Sequence, residues 1–187
     1  MRELQVCGVD DGYFPLKFKG GKGKTVLLSS KYNDKLLIGI DFDLILVDGD
    51  DATSKLRKIL DDCEAVFTDG ITVGGFNYVD PEELKNYGIN YIIFYSKIPN
   101  IKDVEHALLK HFSGDRRTSI ILNVLENLVL LPTKKGNVYV DTNLSLQYAS
   151  KLINYYQIYV KEPEPLRTAH TIASSLSRFL LTKNLLT

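Results

Sequence analysis

The sequence predicts an α/β fold, a mixed sheet flanked by helices, whose opening strands run antiparallel and whose later strands alternate with helices. Three observations carry that reading. Short apolar runs stop abruptly at acidic or glycine-containing turns, helical periodicity alternates with those runs, and no repeat or low-complexity linker divides the 187 residues. One continuous domain, 1–187, follows, long enough to bury most of its unfolded surface without staples.

Leu4 to Val9 is an apolar run that ends at Asp10-Asp11-Gly12. Thr25 to Ser30 and Leu36 to Val47 are β-rich, and the polar break Lys31-Tyr32-Asn33-Asp34 between them predicts a hairpin. A helix begins near Asp51, with Leu56, Ile59 and Leu60 at helical spacing. Ala65 to Thr68 is a short buried strand ending at Asp69-Gly70. In Asp80-Pro81-Glu82-Glu83 the aspartate caps a helix, the proline suits its first position and Glu83 completes a capping box. Gly88 stops that helix. Ile89 to Tyr95 is the next strand, and Val104, Ala107, Leu108, His111 and Phe112 mark a helix after it. Residues 119 to 141 read as further strands, broken around Pro132 to Gly136. Two helices close the chain, one within 144–156 and one from Pro165, striped by Leu166, Ala169, Ala173, Leu176 and Leu180. Three strands, a helix, a strand, a helix and a strand is the order of the ribonuclease H-like fold. A Rossmann fold fits less well, because no glycine-rich turn leads from the first strand into a helix.

Composition narrows the function classes. The 23 Lys and Arg balance the 23 Asp and Glu, which argues against a strongly basic DNA-coating protein but leaves room for a local patch. The longest apolar run, Ile89 to Tyr95, contains Asn90 and is far too short to span a bilayer, so no membrane partner is expected. Met1-Arg2-Glu3-Leu4 lacks the regions of a signal peptide, which predicts a cytoplasmic protein. In that compartment Cys7 and Cys63 are expected as reduced, buried thiols; a disulfide is the alternative that intracellular proteins of hyperthermophiles allow. No C-x-x-C pair is present to bind zinc.

Chemistry is expected at the acids. Asp10 and Asp69 each follow a short apolar strand, and in this fold those strands are neighbours about 4.8 Å apart. Carboxylates at adjacent strand ends suit one Mg2+, with Mn2+ as the alternative, and such an ion activates water against a phosphodiester. Asp-Gly after a strand is also a common turn signal, but Asp11 adds a third carboxylate that a turn does not need. Asp48, Asp50 and Asp51 form another acidic group before the first helix. Asp51 is placed to cap, and Asp48 is the candidate further metal ligand. Gly70, Gly74 and Gly75 fall in one short loop that either cradles a nucleotide or simply needs positive φ, and Asn77 is a candidate reader of a base edge. Lys17, Lys19, Lys22 and Lys24 interleave with Phe14 and Phe18, as a phosphate track or as a solvated hairpin, and Arg116-Arg117 forms a second basic spot.

Four segments, GVDDGYF at 8–14, VDGDDAT at 47–53, TDGITVGGFNYVDPEEL at 68–84 and EPLRTAH at 164–170, resemble the signature blocks of the archaeal endonuclease dU family. That family is related to endonuclease V, a ribonuclease H-like enzyme that nicks nucleic acids near deaminated bases. The resemblance implies that Asp10 and Asp69 are its two aspartates and that His170 is the residue of its last helix. There His170 touches the metal or protonates the leaving group, and Arg167 one turn earlier binds a phosphate. The Glu that endonuclease V places before its first helix has no identical counterpart, with Asp48 or Asp51 as substitutes, and its Pro-Tyr-Ile-Pro-Gly wedge is missing. The family name implies damaged, deoxyuridine-containing DNA as the partner, with RNA as an alternative. Two other readings stand beside the endonuclease: a non-catalytic nucleic-acid or protein-binding module on the same fold, and a metal-dependent phosphatase, although Asp10-Asp11-Gly12 lacks the Asp-x-Asp spacing of one large phosphatase class.

Overall fold

The computed structural model describes residues 5–60 and 62–187; Met1 to Leu4, the start on which the absence of a signal peptide was read, lie outside the described residues. Strands β1 (Gln5–Asp11), β2 (Lys24–Asn33) and β3 (Leu36–Leu46) form an antiparallel meander, and α1 (Ala52–Ile59) leads into β4 (Ala65–Asp69). A miniature hairpin follows, β5 (Thr72–Val73) with β6 (Asn77–Tyr78), then α2 (Pro81–Asn86), β7 (Tyr91–Tyr95), α3 (Ile101–His111) and α4 (Arg116–Glu126). The chain closes with β8 (Val129–Thr133), β9 (Gly136–Thr142), α5 (Leu146–Tyr156) and α6 (Glu164–Thr182). The main sheet has the order β3-β2-β1-β4-β7-β9-β8, with β1, β4 and β7 parallel to one another and β9 antiparallel to β7. This is the ribonuclease H-like sheet that the element order predicts.

Alternation along the central strands sorts their side chains to two faces. Cys7, Val9 and Val66 join Leu56, Leu108 and Ile121 under α1, α3 and α4. Val6 and Phe67 face the other way, against Leu152, Tyr156 and Leu166 of α5 and α6, and α6 continues over β2 through Ala169 and Ala173 on Val26 and Leu28. None of the described helices is long and apolar enough to cross a membrane.

Several expectations need correction. Residues 116–126 form α4 rather than a strand: Asp115 caps it by accepting from Arg117 N at 2.8 Å, and Arg117, Ile121, Val124 and Leu125 line its buried face at helical spacing. Pro132, expected to break a strand, sits inside β8, at the sheet edge where a missing N–H costs no ladder bond. Strand β2 runs on to Asn33 through a register shift at Lys31/Tyr32, and the turn falls at Asp34, whose φ is 54°. Asp51 stands at the start of α1, but its carboxylate accepts from Leu46 N and Asn77 Nδ2; Asn77 Oδ1 instead receives the Ala52 N–H. Asp80 does cap α2, through Glu82 N at 2.9 Å, but the reciprocal half of the box is absent: Asp80 N donates to Thr53 Oγ1.

The cysteines are not free. Cys7 and Cys63 form a disulfide, with Cα atoms 5.8 Å apart, joining β1 to the segment just before β4. Closing a loop of 56 residues restricts the unfolded chain, for about 2–4 kcal/mol of stability. Cys63→Ser is therefore expected to lower Tm by about 10 °C in a chain this size. Thermal unfolding with and without dithiothreitol checks it, and a Tm indifferent to both reduction and substitution would contradict the bridge.

Candidate metal and nucleic-acid site

The two aspartates meet because the backbone ladder places them side by side. Strands β1 and β4 pair in parallel, Val6 with Ala65 through Val9 with Thr68, and the same register continued by one residue sets Asp10 beside Asp69. Asp10 shares its face with Val6 and Gly8, and Asp69 shares the same face with Ala65 and Phe67, so both carboxylates emerge toward α6.

Helix α6 brings the third group. It crosses β1 almost in backbone contact: a Cβ on Gly8 would lie 2.1 Å from the Pro165 carbonyl carbon, and one on Gly12 would lie 2.7 Å from Ala173 O. With the helix held that close, His170 Nδ1 sits 2.7 Å from Asp10 Oδ2. The imidazole is otherwise open to solvent, while Asp10 is only 4% exposed. Beside a carboxylate, the ring carries its proton on Nδ1 and turns Nε2 outward. Asp10, Asp69 and His170 each offer one ligand atom, and these atoms lie within 4.8 Å of one another.

The electrostatics show an uncompensated negative site. Burial, reinforced by the Asp69 charge, pushes the Asp10 carboxyl up to about 6, although Asp11 N–H and His170 hold it down in part. Burial and the Asp10 charge push Asp11 up to about 7, against the Gly74 N–H that its carboxylate accepts. Asp69 is also raised, mainly by desolvation; His170 opposes the shift and the charges of Glu162 and Asp11 add to it. Tyr95 braces this end of β4: its hydroxyl accepts from Ile71 N at 3.0 Å, and its ring fills the space that a Cβ on Gly70 would take.

The donor set fits a hard divalent cation. Two carboxylates already forced together lose their repulsion when a cation sits between them, and each Asp10 oxygen, accepting one hydrogen bond, keeps a lone pair for coordination. Two carboxylate oxygens leave most of a Mg2+ or Mn2+ shell to water and phosphate oxygens, with the His170 ring beside them.

Other predicted residues lie outside that cluster. Asp11 lines the cleft beside Asp10, Asp69 and His170, but it stands on the opposite face of β1 and its carboxylate is not among the three converging ligand atoms. Asp48 is no ligand either: with φ at 58°, its Oδ1 accepts from Phe76 N and its Oδ2 from Gly20 N, both at 2.8 Å, so it ties three loops together. Asn77 is fully buried and spends its amide on Leu46 O, Asp51 and Ala52 N, leaving nothing to read a base. Gly74 and Gly75 do take positive φ, but a Cβ on Gly74 would meet Ile45 and Thr25, and one on Gly75 would meet Asp48 Oδ1 at 2.3 Å. The space these glycines open is filled by the protein, as Tyr95 fills that beside Gly70. Arg117 is buried against Asp48 O and Asp115, and Arg116 pairs with Asp80, so that basic spot is structural. Phe18 is buried under Val47 and Leu186, which removes it from any stacking track, while the lysines around it stay exposed.

Arg167 remains beside the site. One edge of its guanidinium is held by Glu164, Nε to Oε2 at 3.1 Å and Nη2 to Oε1 at 2.5 Å, and it lines a 260 Å3 cleft with Asp69, Glu162 and His170. A second cleft of 410 Å3 on the other flank adds Asp10, Asp11, Tyr13, Ser174 and Arg178. Glu162, Tyr13, Ser174 and Arg178 escaped the reading of the sequence. The four-residue steps from His170 to Ser174 to Arg178 were the available signal. Glu162 stands in a loop and gives no periodic one.

A UPF0215 protein of Sulfurisphaera tokodaii is 51% identical over 183 residues, covering 98% of this chain and 100% of its own. One from Thermococcus sibiricus is 34% identical, over 93% and 92%. Among solved structures, a protein of unknown function from Archaeoglobus fulgidus superposes with a TM-score of 0.78 at 24% identity, over 93% of this chain and 98% of its own. Endonuclease V of Bacillus subtilis superposes at 0.60 with 9% identity, over 96% and 83%. Endonuclease V of Ciona intestinalis, solved with a DNA containing an inosine followed by a ribo-adenosine, gives 0.56 with 13% identity, over 97% and 87%. These likenesses establish the shared fold. The endonuclease dU family profile matches residues 2–177, taking in both aspartates, the glycine-lined crossing of α6 and His170. With nearly all of its length aligned, this chain belongs to the endonuclease dU family.

Proposed function

We propose that the protein is a divalent-metal-dependent endonuclease that nicks DNA at or near deaminated bases, deoxyuridine foremost. The observation that carries this reading is the convergence of Asp10, Asp69 and His170 within 4.8 Å at the end of two parallel strands. The family name supports the substrate class, and the inosine-containing DNA bound to the Ciona endonuclease V supports a deaminated base. A bound Mg2+ or Mn2+ supplies an activated water and offsets charge on the scissile phosphate. Asp10 and Asp69 hold that charge centre. Asp10 also fixes the proton of His170 on Nδ1, which leaves Nε2 at the cleft to exchange a proton with the attacking water or the leaving oxygen. Arg167, oriented by Glu164, has outer nitrogens free for a phosphate oxygen.

The test is incubation of end-labelled duplexes carrying uracil, hypoxanthine or no lesion, with Mg2+, Mn2+ or chelator. Nicking of the uracil duplex that requires the ion is expected, and intact strands under every condition would sink the proposal. A second reading, a binding module without catalysis, draws on one observation: Asp48 and Asp51, the candidates for a further ligand, are both engaged by backbone and side-chain amides. Tight binding of the uracil duplex with no cleavage in either metal favours that reading.

A further inference from the structure

The floor of the site is acidic, and carboxylates repel a polyanion. Affinity for a nucleic acid therefore has to come from cations on the walls, and the 410 Å3 cleft carries one. His170, Ser174 and Arg178 follow at four-residue intervals along α6 and all line that cleft, together with Asp10 and Asp69. Arg178 is exposed, and its guanidinium carbon lies 4.2 Å from the centre of the Tyr13 ring. Among the described residues no carboxylate pairs with it, unlike Arg116, Arg117 and Arg167. Stacking on an aromatic face holds the planar fork in one orientation and leaves its N–H edges for an acceptor.

Eight residues of helix separate His170 from Arg178, about 12 Å at the α-helical rise. That is a separation of a few nucleotides at most along one strand, since successive phosphates stand farther apart than the roughly 3.4 Å axial rise. We infer that Arg178, laid flat on Tyr13, binds a backbone phosphate of the DNA a few nucleotides at most from the cleavage position, with the strand running along α6 past Ser174. The inference rests on the endonuclease reading for its ligand and extends it to a subsite. Arg178 acts here as a positioning residue.

The experiment measures binding without cleavage. The full chain, in chelator, is titrated against a fluorescent undamaged duplex at several salt concentrations, and anisotropy gives the affinity. Arg178→Ala is expected to weaken binding about tenfold at low salt and to reduce the slope of log affinity on log salt by about 0.9, one phosphate's worth of counterions. Arg178→Lys should restore the slope but not the full affinity, since an ammonium keeps the charge without the stacked fork. Arg57→Ala is the control: this arginine is also stacked on a tyrosine, Tyr87, but on the face covered by α1, and its loss should change neither quantity. Equal affinity and slope for wild type and Arg178→Ala, an equal loss from Arg57→Ala, or no binding by wild type each overturns the assignment. Nicking is scored separately: cleavage with an unchanged slope removes Arg178 and leaves the endonuclease standing, while Arg178-dependent binding without cleavage does the reverse.

Discussion

Asp10→Asn is expected to abolish metal-dependent nicking, by at least roughly a thousandfold, while leaving a folded protein that is more stable at neutral pH without metal. The amide keeps the shape and can still accept from Asp11 N, but it removes the charge that shares a cation with Asp69 and orders His170. The stability gain follows from the raised carboxyl. A group whose folded pKa of about 6 stands above its ordinary 3.8 binds its proton more tightly in the native state, so its charge opposes folding. Wild-type stability in chelator is thus full near pH 4 and falls as pH rises through about 6, by up to about 3 kcal/mol from this group. Asn lacks that component, so its Tm should decline less between pH 4 and pH 8. A variant that nicks at wild-type rate, or whose stability follows the same pH curve, would remove Asp10 from the centre of the site.

Gly8→Ala should be the most damaging single-methyl change in the chain. Its Cβ would lie 2.1 Å from the Pro165 carbonyl carbon, 2.3 Å from its oxygen and 2.5 Å from Leu166 N, all backbone atoms that cannot rotate away. Either α6 lifts off β1 or the strand buckles, at about 4 kcal/mol or more, the upper end of overpacking. The same displacement withdraws His170 from Asp10, so activity should fall even where the variant is folded. Thermal unfolding combined with the nicking assay separates the two effects. A soluble Gly8→Ala protein of unchanged Tm would show that α6 does not ride on the strand as closely as described.

How much of this was legible depends on the range of the forces involved. Elements whose cause is local were readable: the apolar run before Asp10-Asp11-Gly12, the Asp80-Pro81 start of α2, and the stripe of α6. Helix α4 was misread because Ile120, Ile121, Leu122 and Val124 look β-rich residue by residue, while the Asp115 cap and the spacing of Ile121, Val124 and Leu125 were passed over. At the site, the meeting of Asp10 with Asp69 was legible because both stand at strand ends, and family resemblance pointed to His170 as their neighbour. Asp48, Asn77 and the paired glycines were misassigned for one shared reason. Each has a residue type suited to a ligand, but each is consumed by a contact with a distant loop, Asp48 with Gly20 and Phe76, Asn77 with Leu46 and Ala52. A sequence shows what a side chain offers, and only the fold shows what has already taken it. The disulfide was hidden likewise, since Cys7 and Cys63 lie 56 residues apart.

The parallel pairing of β1 with β4 has a consequence for how the site comes into being. Because side chains switch faces with every residue, a slip of one position between these strands would send one aspartate to the far side of the sheet, and nothing intermediate exists. Assembly of the cation-binding pair is therefore all-or-none with the zippering of two strands, and the bridge from Cys7 to Cys63 pins that zipper at its other end. On the proposed reading ion affinity is inherited from a hydrogen-bond register, so amide exchange at Val9 and Thr68 should slow when the metal binds and quicken when the disulfide is reduced.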